Sequence, residues 1–150
     1  MKEAGMQPAY RRVLLKLSGE ALSAGADGVL NHEFIEQIAA VLKKCLDKGV
    51  EIGVIVGAGN IWRGRQGKDM DPALADHMGM LATAINALAL QDAFCHAGLD
   101  ARAMMAVRME AFAEPYTAFA VSLSISSTPE NSCAISSAII LFDTKSPTAA

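Results

Sequence analysis

The chain has 150 residues, 52% of them hydrophobic and 19% charged, with a net charge of −3. That length suits one domain able to bury roughly 70% of its unfolded surface, and the composition excludes a disordered chain. The acidic balance excludes the basic footprint of a nucleic-acid binder.

Cys45, Cys95 and Cys133 lie far apart with no CxxC and no histidine at ligand spacing, so we expect reduced core thiols and no metal centre. Residues 1–5 carry no apolar signal core. The longest nearly uncharged stretch, 118–142, is rich in serine and broken by Pro129 and Glu130. A cytoplasmic protein without a membrane span is expected.

In chain order, residues 11–20 (RRVLLKLSGE) open as a short apolar strand that Lys16 interrupts and Ser18-Gly19 closes. Ligands gather outside the carboxyl ends of parallel strands, so a lysine there is placed to neutralise a phosphate. A lysine snorkelling from a strand end would look the same. Residues 21–30, small and bearing Gly25 and Gly28, read as a surface loop. Asn31 can cap a helix in which Phe34, Ile35, Ile38, Val41, Leu42, Cys45 and Leu46 recur at helical spacing. Its acids lead, its lysines trail, and Gly49 stops it.

Residues 50–56 form an apolar, β-branched run, the pattern of a strand covered on both faces. Gly57-Ala58-Gly59-Asn60 follows, with Arg63 four residues past the second glycine. Glycines after a buried strand let the backbone turn tightly, and N–H groups left free there beside a cation suit a phosphate. An ordinary strand-to-helix turn accounts for the same residues. The dinucleotide fingerprint is not met, because its third glycine would fall on Trp62.

Residues 65–72 read as a polar loop. Asp76 then stands where a carboxylate can cap a second helix, with Met78, Leu81, Ala82, Ile85, Leu88 and Ala89 on one side and Gly98 as its end. His77 and His96 have no partner pattern, and Met78, Met80, Met104, Met105 and Met109 read as core filler. Residues 101–107 look like a third strand. Strand, helix, strand, helix, strand predicts an α/β fold with a mainly parallel sheet and helices on both faces.

Three segments together resemble one family. LKLSGE (residues 15–20), GAGNIWRG (57–64) and DHMGMLAT (76–83) occur in the order and spacing of bacterial uridylate (UMP) kinases, of the amino acid kinase fold. The first two are shared with related kinases of that fold, and the third is more specific to uridylate kinases. The resemblance implies transfer of the ATP γ-phosphoryl group to UMP, with Mg²⁺ bridging the nucleotide phosphates. It implies ATP binding by Lys16, Leu17, Ser18, Gly19, Gly59 and Arg63, with Lys16 and Arg63 catalytic. Ala58, where many members have glycine, and Asp76 match positions that hold UMP, the latter through the ribose. A hexamer is likewise implied. Residues 25–28 fall where bacterial members respond to GTP, but depart from the usual loop.

Phosphoryl transfer needs two anions held in line and developing charge neutralised, which two cations and two glycine turns can supply. No GxxxxGK[ST] motif is present, so the P-loop class is excluded.

The likeness covers about 10–117, leaving 1–9 as an N-terminal extension and 118–150 as an unmatched tail. An abrupt loss of likeness leads us to expect a truncated or frame-shifted product without kinase turnover; its rival is a natural variant whose new C-terminus caps the half-sheet. Within the tail, 121–126 alternates apolar residues with serine and 138–142 is apolar, so short strands are expected. Two other readings stand beside the kinase: a non-catalytic nucleotide-binding or oligomerisation module from the same half-domain, and a carbamate or acetylglutamate kinase. DHMGMLAT argues against the last.

Overall fold

The computed structural model describes residues 8–23, 28–67, 69–109, 111, 113–115 and 138–142. Among these residues the strands are β1 (Arg12–Leu17), β2 (Glu51–Val56), β3 (Ala101–Met105), β4 (Glu114–Pro115) and β5 (Ala138–Phe142). They form one sheet in the order β1-β2-β5-β3-β4. The α-helices among the described residues are α1 (Gly19–Ser23), α2 (His32–Leu46) and α3 (Pro72–His96).

The pairings β1–β2 and β3–β4 are parallel, whereas β5 runs antiparallel to both β2 and β3. The α/β class is therefore observed, with antiparallel pairing confined to β5. That strand comes from the stretch 138–142, and it is central rather than peripheral. Ile139, Ile140, Leu141 and Phe142 are all buried. A run of four large apolar side chains points to both faces of the sheet, so only an interior position removes all of them from water. The other expected tail strand, 121–126, lies outside the described residues.

Alternation along the strands divides the core. Leu15, Leu17, Ile52, Val54, Val56, Ile140, Phe142, Ala101, Ala103 and Met105 face α2 and α3. Ile55, Ile139, Leu141 and Met104 make a smaller cluster on the opposite face. Among the described residues both long helices lie on the first face. Phe94 of α3 meets Phe142 of β5 with ring centroids 5.4 Å apart and planes at 46°, a tilted pair favoured by the ring quadrupoles.

α2 follows the sequence reading. Asn31 Oδ1 accepts from Phe34 N at 3.0 Å, and Gly49 takes a left-handed φ of 78° after the last turn. Its buried stripe is Ile35, Ala39 and Leu42, while Val41, at the stripe's edge, is exposed. The loop expected at 21–30 gives way at its start to α1. Ser18 accepts the Ala21 amide through both its carbonyl and its Oγ, and Leu22 is fully buried.

α3 corrects two expectations. It starts at Pro72, not Asp76: Asp71 is the cap, accepting from Ala73 N at 2.9 Å and Leu74 N at 3.2 Å. Proline at the first helical position has no N–H to leave unsatisfied and a φ already suited to a helix. Asp76 thus sits past the first turn, on the exposed surface. The buried face is also different, comprising Ala75, Ala82, Ala84, Ala87, Leu90 and Phe94, with Met78, Leu81 and Ile85 exposed. The helix is apolar on every side, so periodicity could not choose its face. Alanines let it approach the sheet closely. By composition α3 is also long and apolar enough to cross a membrane; here its small residues and Phe94 pack on the strands.

Met104 and Met105 are core residues as expected, whereas Met78 is exposed. Cys45 is half-buried but Cys95 is exposed, so the latter is not a core thiol. Cys133 lies outside the described residues.

Candidate functional site

Parallel pairing sets the carboxyl ends of β1 and β2 side by side, with Leu17 opposite Val56. The ladder runs one step further, Gly57 N donating to Leu17 O at 2.9 Å. The two glycine-bearing turns that leave these strands are therefore neighbours.

They touch backbone to backbone. A Cβ on Gly19 would collide with Asn60 Oδ1 and stand 2.6 Å from Gly59 N and 2.9 Å from the Ala58 carbonyl carbon. No side chain fits there, which is the physical reason for glycine in Ser18-Gly19. In the second turn, Ile61 N and Trp62 N both return to Ala58 O at 2.9 Å. The N–H groups of Ala58, Gly59 and Asn60 have no partner among the described residues. Successive unpartnered N–H donors in a turn are the kind of backbone feature that can receive an anion.

Three side chains hold the turn. Asn86 of α3, fully buried, donates Nδ2 to Gly57 O at 2.8 Å. The Asn60 and Asn86 carboxamides face one another, each donating to the other's oxygen at 3.1 and 2.7 Å. Asn60 Nδ2 also reaches Val29 O at 2.8 Å. Trp62 Nε1 donates to Ala75 O at 3.1 Å, tying the turn to the start of α3.

Arg63 lies back over the turn, with Nε donating to Gly59 O at 3.0 Å and a terminal nitrogen 2.7 Å from Glu20 Oε1. Its own N–H is taken by Gln66 Oε1 at 3.0 Å.

The structure thus brings Ser18, Gly19, Ala58, Gly59 and Arg63 into one place. Leu17 enters only through its backbone, since its side chain packs in the core and its carbonyl is used by Gly57. Lys16 is exposed on the sheet face opposite the helices, in register with Ile55. Asp76 is exposed and adjoins Ala75, whose carbonyl Trp62 holds; freed from capping, its carboxylate is open to solvent.

Glu20, Asn86 and Trp62 were not singled out from sequence. Asn86 had a signal, being a carboxamide set between apolar residues on both sides within a helical run. Two grooves of about 400 and 450 Å³ lie elsewhere, one at the β3–β4 edge and one between α2 and α3, and no predicted site residue lines either.

Paired glycine turns and a cation at the carboxyl ends of adjacent parallel strands are an arrangement at which α/β sheets commonly gather anionic ligands. The amino acid kinase family model matches residues 11–129, and the chain belongs to that family. It is similar to the UMP kinase of Bacillus anthracis, with 34% identity and a TM-score of 0.69, over 77% of this chain and 50% of that one. It is also similar to the UMP kinase of Ureaplasma parvum, with 31% identity and a TM-score of 0.67, over 80% of this chain and 52% of that one. The chain therefore spans about half the length of these kinases.

Proposed function

We propose that this chain carries the phosphate-handling part of a UMP kinase, transferring the ATP γ-phosphoryl group to UMP in cytoplasmic pyrimidine nucleotide synthesis. One observation carries the reading: the Ser18-Gly19 and Gly57–Arg63 turns interlock at the ends of adjacent parallel strands, in a chain 31–34% identical to UMP kinases.

In this reading Lys16, Leu17, Ser18, Gly19, Gly59 and Arg63 attend the ATP phosphates, with Lys16 and Arg63 supplying positive charge. The N–H groups at 58–60, without a partner among the described residues, supply fixed donors that need no reorganisation as charge develops. Ala58 faces UMP through its backbone, and Asp76 accepts hydrogen bonds from ribose hydroxyls. Mg²⁺, carried by the nucleotide phosphates, supplies further charge neutralisation. The assembly is a homo-oligomer, a hexamer on the family pattern.

The test is a coupled assay for UDP from ATP and UMP on the 150-residue chain, run beside calorimetric titration of each nucleotide. UDP formation that Arg63→Ala abolishes supports the reading. Absence of both turnover and binding refutes it. A second reading, a non-catalytic nucleotide-binding or oligomerisation module, draws on the half-length match; nucleotide binding without UDP formation selects it.

A further inference from the structure

The anion-binding turn already has a carboxylate beside it. Glu20, just past Gly19, sets Oε1 2.7 Å from the Arg63 guanidinium, which also donates to Gly59 O at 3.0 Å. The same side chain runs alongside Gly59. A Cβ on Gly59 would stand 3.2 Å from Glu20 Cγ and 3.5 Å from Oε1. A side chain on Gly59 would therefore press on the acid where it crosses the turn. The result is a carboxylate paired with the turn's cation, next to N–H donors that have no partner among the described residues.

We propose that Glu20 is an internal competitor for the anionic ligand. In the unliganded chain its carboxylate occupies Arg63, and an incoming phosphate group displaces it to take the guanidinium. The inference rests on reading the Gly57–Arg63 turn as a phosphate site.

The energetics allow the exchange. The Arg63 and Glu20 side chains are 46% and 59% exposed, and ion pairs so open to water and salt are weak. A phosphate brings more charge and more acceptor oxygens, and can meet the planar guanidinium with two parallel hydrogen bonds. Once displaced, the Glu20 carboxylate still lies near the bound anion and repels it. Glu20 therefore lowers affinity twice, by holding the cation and by opposing the ligand. It acts through Arg63 and is a positioning residue rather than a catalytic one.

The probe is inorganic tripolyphosphate, titrated calorimetrically at low ionic strength into the full chain and into Glu20→Gln, Arg63→Gln and the double variant. Glu20→Gln keeps the shape of an exposed side chain and removes only its charge. We expect it to bind tripolyphosphate about three- to tenfold tighter than the parent, with most of the gain lost when Arg63 is Gln. A residue that merely braces α1 against the turn would give equal or weaker binding, and that result overturns the proposal. So does a gain that persists undiminished without Arg63, or absence of tripolyphosphate binding by every form.

A ligand-free readout accompanies it. Phenylglyoxal modification of Arg63, followed by peptide mass, should be faster in Glu20→Gln; an unchanged rate counts against the pair. If the cycle behaves as stated but no UDP forms, the kinase reading fails and the competitor stands. If UDP forms and the cycle is flat, the competitor alone fails.

Discussion

Asn86→Ala tests whether one buried carboxamide holds the Gly57–Arg63 turn. Asn86 is fully buried and gives two hydrogen bonds through Nδ2, to Gly57 O at 2.8 Å and Asn60 Oδ1 at 2.7 Å, while accepting one from Asn60 Nδ2 at 3.1 Å. Alanine removes all three. Asn60 Nδ2 keeps Val29 O, so the groups left without their partner are Gly57 O and Asn60 Oδ1. A buried acceptor stranded in this way costs about 1–3 kcal/mol. Both residues are only half-buried, so water recovers part of that, and each takes the lower end of the range. Adding a small cavity gives a loss of about 2–4 kcal/mol. Urea unfolding should show this as a lower midpoint at an unchanged slope. ATP titration should show weakened binding as well, because the turn would lose its register on α3. A stability loss below about 0.5 kcal/mol, with ATP affinity intact, would refute the assignment of Asn86 as the clamp.

Four further outcomes are expected. Asp71→Ala should cost about 1 kcal/mol through loss of the cap, whereas Asp76→Asn should leave the urea midpoint in place and weaken UMP binding; the reverse pattern would return Asp76 to a capping role. Gly19→Ala meets backbone at 2.6 Å and should destabilise by about 1–3 kcal/mol while abolishing ATP binding in a calorimetric titration. Gly49→Ala meets nothing within 4 Å but must adopt a φ of 78°, so its cost in urea should be about 1 kcal/mol. Ile140→Ala, in a fully buried strand residue, should lower unfolding free energy by about 2–5 kcal/mol; a loss under 1 kcal/mol would argue against an interior place for β5.

How much could be read beforehand depended on how sharply each segment contrasts with itself. α2 has one narrow apolar stripe, an Asn cap and a Gly stop, so its extent and face were legible from spacing alone. β1 and β2 were legible because apolar runs ended in glycine turns, and those turns already suggested an anion. The start of α3 was also present in the sequence as Asp71-Pro72, but Asp76 offered a second acceptable cap.

The local pieces are written in the chain: the strands, the capped helix, the glycine turns and the types of residue a phosphate would want. These follow from short-range sterics, hydrogen bonding and periodicity, which neighbouring residues settle among themselves. Packing in three dimensions settled which face of α3 is buried, because a helix apolar all round has no preferred side until it meets the sheet. It alone put β5 between β2 and β3, where a strand far along the chain fills both faces of the core at once. It alone joined Asn86 to Gly57 and Asn60, and Glu20 to Arg63. Those contacts link residues 26 to 43 positions apart, and no local rule reaches across that separation.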